Sequence, residues 1–326
     1  GIGNYDGVQL YNVISNGGAY VGGDLLSYIK TNGTFASKTR SWERIKNYNI
    51  AVDYGFNIAP GHYINGTLEW FQKRNDNMLV SVTLPATLGD KAPSANVGKF
   101  KDYGWEGQIT YNGKIGDVKY HVGGTLTFAR NELTDYQGTS VKSSGYSSLQ
   151  VGYGLNSIFG LRYAGKIQNE EQREAYVGLY YNNNGIGMPS NLRVGDNMYC
   201  DENGDGRLDE NDYIFLGSSD PELSYSFNFG AEYKGFDINV VFQGAGNRFI
   251  YRGNDTNWTV PFRGLYMNSL ASSIGNTWTT ENTGAYYAPY TNDSNINAYN
   301  YQASSLTAQD GRYLRLKNIT LGYTFP

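Results

Sequence analysis

From Ile319 to the end of the chain, every second residue is large and apolar: Ile319, Leu321, Tyr323 and Phe325. The residues between them, Thr320, Gly322 and Thr324, are small or polar. Successive side chains of a strand point to opposite faces, so this run meets an apolar medium on one side and a wet or tightly packed one on the other. Similar runs recur, which predicts a large antiparallel sheet rather than an enzyme active site.

The spacing predicts strands over Asn49–Asn57, Tyr63–Lys73, Asp102–Asn112, Val118–Ala129, Ile158–Ile167, Leu223–Tyr233, Phe236–Gln243 and Arg312–Phe325. In Val118–Ala129 the apolar face carries Val118, Tyr120, Val122, Leu126 and Phe128. Lys119, His121, Thr125 and Thr127 fall on the other. Pro60-Gly61, Lys114–Asp117 and Lys234-Gly235 are short turns. Residues 1–40 are expected to be loop with short strands, and 76–99, 131–150 and 245–310 loops. Glu170–Tyr176 is the one good short helix.

Paired strands of roughly 9–12 residues, with short turns at one end and long polar loops at the other, are the pattern of outer-membrane barrels. The 30 Tyr and 5 Trp suit interfacial girdles. A mean hydropathy of -0.51 is compatible with such a barrel, because only alternate residues meet lipid. No apolar run is long enough for a membrane helix. The net charge of -4, without a basic cluster, argues against a nucleic-acid partner. A single cysteine, Cys200, excludes an internal disulfide framework and a four-cysteine zinc site. The opening Gly1-Ile2-Gly3-Asn4 is no leader peptide.

One segment has ligand character. Asp201–Asp212 fits the spacing of a calcium loop, with side-chain oxygens from Asp201, Asn203 and Asp205 and a sharp bend at Gly206. The Arg207 carbonyl, Asp209 and Asp212 complete the expected set. All-oxygen donors suit Ca²⁺ in a structural role. Asp212 stands where a longer Glu is usual, which weakens bidentate binding, and no helix pair flanks the loop. The bland alternative is an acidic turn without an ion. Catalytic signatures are missing: His62 and His121 lie far apart, and no nucleophile or phosphate-binding motif is present, so no catalytic residue is expected.

Five segments together resemble the SusC/RagA family of TonB-dependent outer-membrane transporters. They are Trp42-Glu43 to Asp53–Phe56, Ala95–Lys99 with Gly104–Glu106, the Asp201–Asp212 loop, Lys234–Asp237 with Phe242–Gly244, and Tyr313–Pro326. The resemblance implies a barrel of about 22 strands closed by an N-terminal plug. It also implies TonB-powered import, a SusD-like surface lipoprotein as lid, and oligosaccharide or peptide cargo. The plug and the TonB-contacting part have no counterpart here, and the family's barrel continues past a segment like Leu321–Pro326. Residues 1–326 are therefore expected to be one partial transmembrane β-barrel domain in outer-membrane lipid, of roughly ten strands, without the plug and the last strands. Glu106, Gln108, His121 and Asn228 are expected to line the lumen. Trp258, Trp278, Tyr286 and Tyr287 are expected to pack the loops or stack on sugar rings. The rival readings are a passive porin and a secreted, calcium-stabilised, glycan-binding β-sandwich.

Overall fold

The computed structural model describes residues 11–21, 24–31, 40–81, 94–136, 142–146, 148–180, 187–251 and 271–325. Its strands are β1 (Tyr11–Val21), β2 (Asp24–Thr31), β3 (Ile45–Ala59), β4 (His62–Ser81), β5 (Ser94–Ile115), β6 (Val118–Tyr136), β7 (Ser157–Gly160), β8 (Tyr163–Lys166), β9 (Asn197–Tyr199), β10 (Ile214–Ser218), β11 (Leu223–Tyr233), β12 (Phe236–Gly246), β13 (Phe249–Tyr251), β14 (Ala308–Asp310) and β15 (Tyr313–Tyr323). Helix α1 (Glu170–Tyr180) follows β8, and α2 (Ser294–Asn300) precedes β14.

Seven strands form one antiparallel sheet in the order β15-β12-β11-β6-β5-β4-β3. Spatial neighbours are neighbours along the chain, apart from two excursions that leave the sheet and return to the same edge. β1 and β2 pair as a separate hairpin. This is the up-and-down topology of a barrel wall, and among the described residues no second large sheet packs on it, so the sandwich expectation does not hold. The two edges, β3 and β15, do not pair with each other.

The turns at one end are tight for a local reason. Lys234 and Gly235 both take positive φ (47° and 87°), the mirror-image turn whose twist matches two antiparallel strands. Gly61 and Gly116 supply positive φ in the other two hairpins. The opposite end carries the connections over 82–93, 137–222 and 247–312.

Strands β4 and β5 run to 20 and 22 residues, well into stretches expected to be loop. A backbone ladder does not require apolar side chains, and Met78–Ser81 keep their partners Ser94–Gly98 after the alternation has stopped. The strand expected over Ile158–Ile167 is instead two short strands, because Leu161 leaves the ladder and bridges to Ser304. The region before position 40, expected to be loop with short strands, contains β1 and β2, of 11 and 8 residues.

Candidate functional site

Cross-strand register sorts the wall into two faces. One row reads Val52, Leu68, Gly107, Leu126, Tyr225, and another Phe56, Ile64, Tyr111, Val122, Phe229, Val240, Ile319. These side chains are exposed or half-exposed: Val52 is 59%, Leu126 53% and Ile319 53% accessible, and Ile64, Tyr111, Tyr225 and Val240 are intermediate. A continuous exposed apolar face across seven strands needs a non-aqueous medium against it.

Aromatic rows bound the band. Tyr48, Tyr103, Trp70, Trp105 and Phe128 lie toward the long-loop end. Tyr111, Tyr120, Tyr233, Phe236 and Tyr323 lie toward the short turns. From the Tyr103 row to the Gly113–Tyr120 row is about 34 Å along β5, or about 26 Å at a tilt near 40°. That matches the apolar band of a membrane barrel.

The opposite face is polar. Glu69 pairs with Glu106, Thr67 with Gln108, and Asn228 with Gly123. His121 pairs with Asn112 and Gly230. Glu106, Gln108, His121 and Asn228 thus share one face, as the alternation predicted. The His121 ring lies over Gly230, where a Cβ would run into its Cε1, so this histidine fills the space above a glycine. His62 sits on the other face, and its Nδ1 lies 2.7 Å from the Tyr111 hydroxyl. The two histidines do not meet.

The described residues of the excursions at the long-loop end fold into a compact module with its own core. Leu161, Ile167, Leu192, Tyr199, Leu208 and Tyr299 are buried together, and α1 packs Tyr176, Val177 and Tyr180 onto them. Within it lies a polar cluster that joins the two excursions. The buried Asp196 carboxylate accepts from the Arg193 guanidinium at 3.0 Å and from Asn300 Nδ2 at 2.8 Å. The Asn197 amide N–H and Nδ2 donate to Asn300 Oδ1 and its carbonyl, each at 2.7 Å. Lys166 Nζ donates to Asn197 Oδ1 at 2.7 Å, and burial pushes its pKa down to about 8. Burial raises the Tyr176 hydroxyl to about 12 and holds Tyr199 and Tyr299 above their ordinary value. Sequence reasoning missed this cluster. It joins Arg193, Asp196 and Asn197 to Lys166, 31 positions before Asn197, and to Asn300, 103 positions after it, with no spacing to mark them.

The loop over Asp201–Asp212 is a chain of side-chain-to-backbone turns. Asp201 accepts from the Gly204 and Gly206 amides at 2.7 and 2.8 Å, and Asn203 from the Asp205 amide at 2.9 Å. Asp205 accepts from the Arg207 amide, and Asp209 from the Asn211 amide. Asp212 is fully buried, and its two oxygens take the amides of Glu202, Asn203 and Asp209. Gly204 and Gly206 have φ of 72° and 80°, which the tight bend requires. Among the described residues no three His, Cys, Asp or Glu side chains gather as a metal cage. Asp212 acts in this loop as a clamp on backbone amides. Burial raises the Cys200 thiol, which disfavours a thiolate nucleophile.

Of the loop aromatics, Trp258 lies outside the described residues. Tyr287 is buried against Tyr301 and Tyr286. Trp278 packs on Gly195, where a Cβ would come within 2.6 Å of its ring. These three rings are packing groups.

No family model matches the chain. It is 26% identical over 309 residues to TonB-dependent receptor P26 of Formosa agariphila, which covers 91% of this chain and 29% of that protein. It is 25% identical over 338 residues to TonB-dependent receptor SusC of Bacteroides thetaiotaomicron, covering 98% of this chain and 29% of that protein. Among solved structures it is similar to the RagAB peptide importer in its open-open state, with a TM-score of 0.66 and 18% identity over 100% of this chain and 32% of that one. The closed-closed state gives 0.65 and 20%. The chain thus spans under a third of the length of these relatives.

Proposed function

We infer that this chain, a SusC/RagA-like segment of a TonB-dependent transporter barrel of the outer membrane, builds part of the wall and outer mouth of an energised nutrient importer. Its relatives are receptors and transporters, not enzymes. The observation that carries the reading is the two-faced wall: apolar rows toward lipid, and Glu69, Glu106, Gln108 and Asn228 toward the interior. Carboxylates, amides and hydroxyls along the lumen match a cargo rich in hydroxyl groups, so the cargo class is an oligosaccharide. The loop module lies at the end where a SusD-like surface lipoprotein would close, and coupling to TonB would come through a plug outside this chain.

The experiment is uptake of labelled oligosaccharide by cells carrying the full-length protein, with and without a protonophore. Uptake that stops with the protonophore supports import. Uptake that continues points to the passive porin. Uptake of labelled peptides in place of glycans overturns the cargo class.

We also propose that Asp201–Asp212 holds Ca²⁺ as a structural ion. Asp201, Asn203, Asp205, Asp209 and the Arg207 carbonyl supply only oxygen, and carboxylates that accept one or two amides keep lone pairs for a cation. Asp212 would contribute least, since three amides already engage it. Calorimetric titration with CaCl₂ should show a site in the range of about 10⁻⁴–10⁻³ M, weakened at least tenfold by Asp205→Asn. No heat of binding, with loop proteolysis unchanged by a chelator, removes the ion.

A further inference from the structure

Above the aromatic row at the long-loop end, the lipid-facing side changes character. Lys46 pairs in register with Arg74, and Arg74 with Lys101, so three cations stand directly opposite one another on three neighbouring strands. Parity places them on the face of Ile50, Trp70 and Trp105: each lies an even number of residues from those side chains, with no bulge between. Lys101 Nζ sits 4.9 Å from the Tyr103 ring centroid, as residues two apart on one face do. Arg130, in the next row and on the next strand, lies over the Phe128 ring at 5.8 Å.

Like charges directly opposite on a sheet destabilise it unless anions answer them. The chain answers some. Lys46 reaches Asp76 at 2.6 Å, Lys101 reaches Glu132 at 2.8 Å, and Arg130 reaches Glu222 at 2.7 Å. Arg74, at the centre of the row, has no ion pair or hydrogen bond from its guanidinium among the described residues. Four cations meet three carboxylates; Asp76 feels the central Arg74 as well as Lys46, but no carboxylate among the described residues bonds the Arg74 guanidinium.

We propose that Lys46, Arg74 and Lys101, with Arg130, form a binding site for the phosphate groups of a glycolipid in the outer leaflet. The row lies just beyond the apolar band, at headgroup depth, and adjacent cations are about 5 Å apart across the strands. A planar guanidinium flanked by two ammonium groups suits phosphate oxygens, bidentate at the centre and point charges beside it. A headgroup with more than one phosphate uses the whole row, whereas a single phosphodiester meets only its middle. The inference rests on the membrane-barrel reading above.

The test uses the full-length protein in neutral detergent, with lipid A, phosphatidylglycerol or phosphatidylcholine titrated in and bound lipid read by native mass spectrometry. Lipid A should be retained most tightly. Arg74→Gln should weaken it about fivefold, and the Lys46→Gln/Arg74→Gln/Lys101→Gln triple change about a hundredfold, at roughly a fivefold loss per surface charge. Lys234→Gln, at the short-turn end, should leave lipid A retention unchanged. Heat-modifiable gel mobility reports whether each variant is a folded barrel. A folded triple variant that holds lipid A as well as the parent overturns the site, and equal retention of phosphatidylglycerol overturns the glycolipid assignment. If the protein stays monodisperse without detergent, the barrel reading itself fails, an outcome distinct from either.

Discussion

The wall and the loop module solve the same problem in opposite ways. In the wall the apolar side chains stay outside, with Leu321 75% and Phe325 82% exposed, and the polar ones turn inward. In the module Leu161 and Ile167 are completely buried, and so are Asp196, Asn197 and Asn300. The wall has lipid as its apolar phase and needs only alternation. The module stands in water and must close around a core, including polar groups it then has to satisfy internally. One chain therefore carries two stabilities, set by different solvents.

Asp196→Ala should separate the two regions most. It takes the carboxylate from the Arg193 guanidinium, which keeps the Pro289 and Tyr290 carbonyls, and the acceptor from Asn300 Nδ2; losing these two hydrogen bonds to a fully buried carboxylate costs about 3–5 kcal/mol, at roughly 1.5–3 each. The module should become sensitive to protease while the barrel keeps its heat-modifiable mobility. Loss of both together would make the two regions one cooperative unit. On the wall, Phe227→Lys places a charge on the lipid face and should cost about 2–4 kcal/mol in vesicle refolding, whereas Ser226→Lys, one residue away on the lumen face, should cost far less. Equal costs would remove the two-faced wall.

The module's stability should also depend on pH. The Lys166 pKa falls from 10.5 to about 8 in the folded module, so between those values the unfolded chain binds more protons and stability rises with pH. The gain is at most about 3 kcal/mol. Above about pH 10 the buried Tyr176, Tyr199 and Tyr299 act in the other sense, because the folded module keeps protons that the unfolded chain releases. Urea midpoints of the module should therefore rise from pH 8, pass through a maximum near 10, and fall. Lys166→Met should flatten the rising limb and leave the falling one.

The wall was legible because period-two alternation is local. Leu223–Tyr233 is a strand with the bounds its pattern implies, and the lumen face of Glu106, Gln108 and Asn228 follows from parity alone. The polar extensions of β4 and β5 carried no such signal, since only backbone pairing holds them. The module was illegible for a stronger reason. Asp196 and Asn300 are 104 positions apart, and nothing in either neighbourhood says that they touch. Helix α1 was visible from Glu170 onward, but not the tyrosines on which Tyr176 lands. Spacing also marked Asp201–Asp212 as a bent acidic loop, while the burial of Asp212 against three amides depends on the fold around it.

The smallest expected effect tests how tightly the wall's geometry rests on its turns. Gly235 holds φ at 87°, and a Cβ there would lie 2.8 Å from the Thr324 carbonyl oxygen, which belongs to the segment just after β15. Gly235→Ala meets both a backbone conformation that side chains disfavour and a neighbouring strand that must give way. A cost of about 1–2 kcal/mol follows, read as a faster unfolding rate in detergent with unchanged lipid A retention. Because the Thr324 amide donates to the Gly235 carbonyl at 2.7 Å, the change should also raise hydrogen exchange at Thr324. If exchange rises only at the turn and not at Thr324, the β12–β15 seam is independent of its hairpin, and register there is set by the facing rows of Ile238 with Leu321 and Val240 with Ile319.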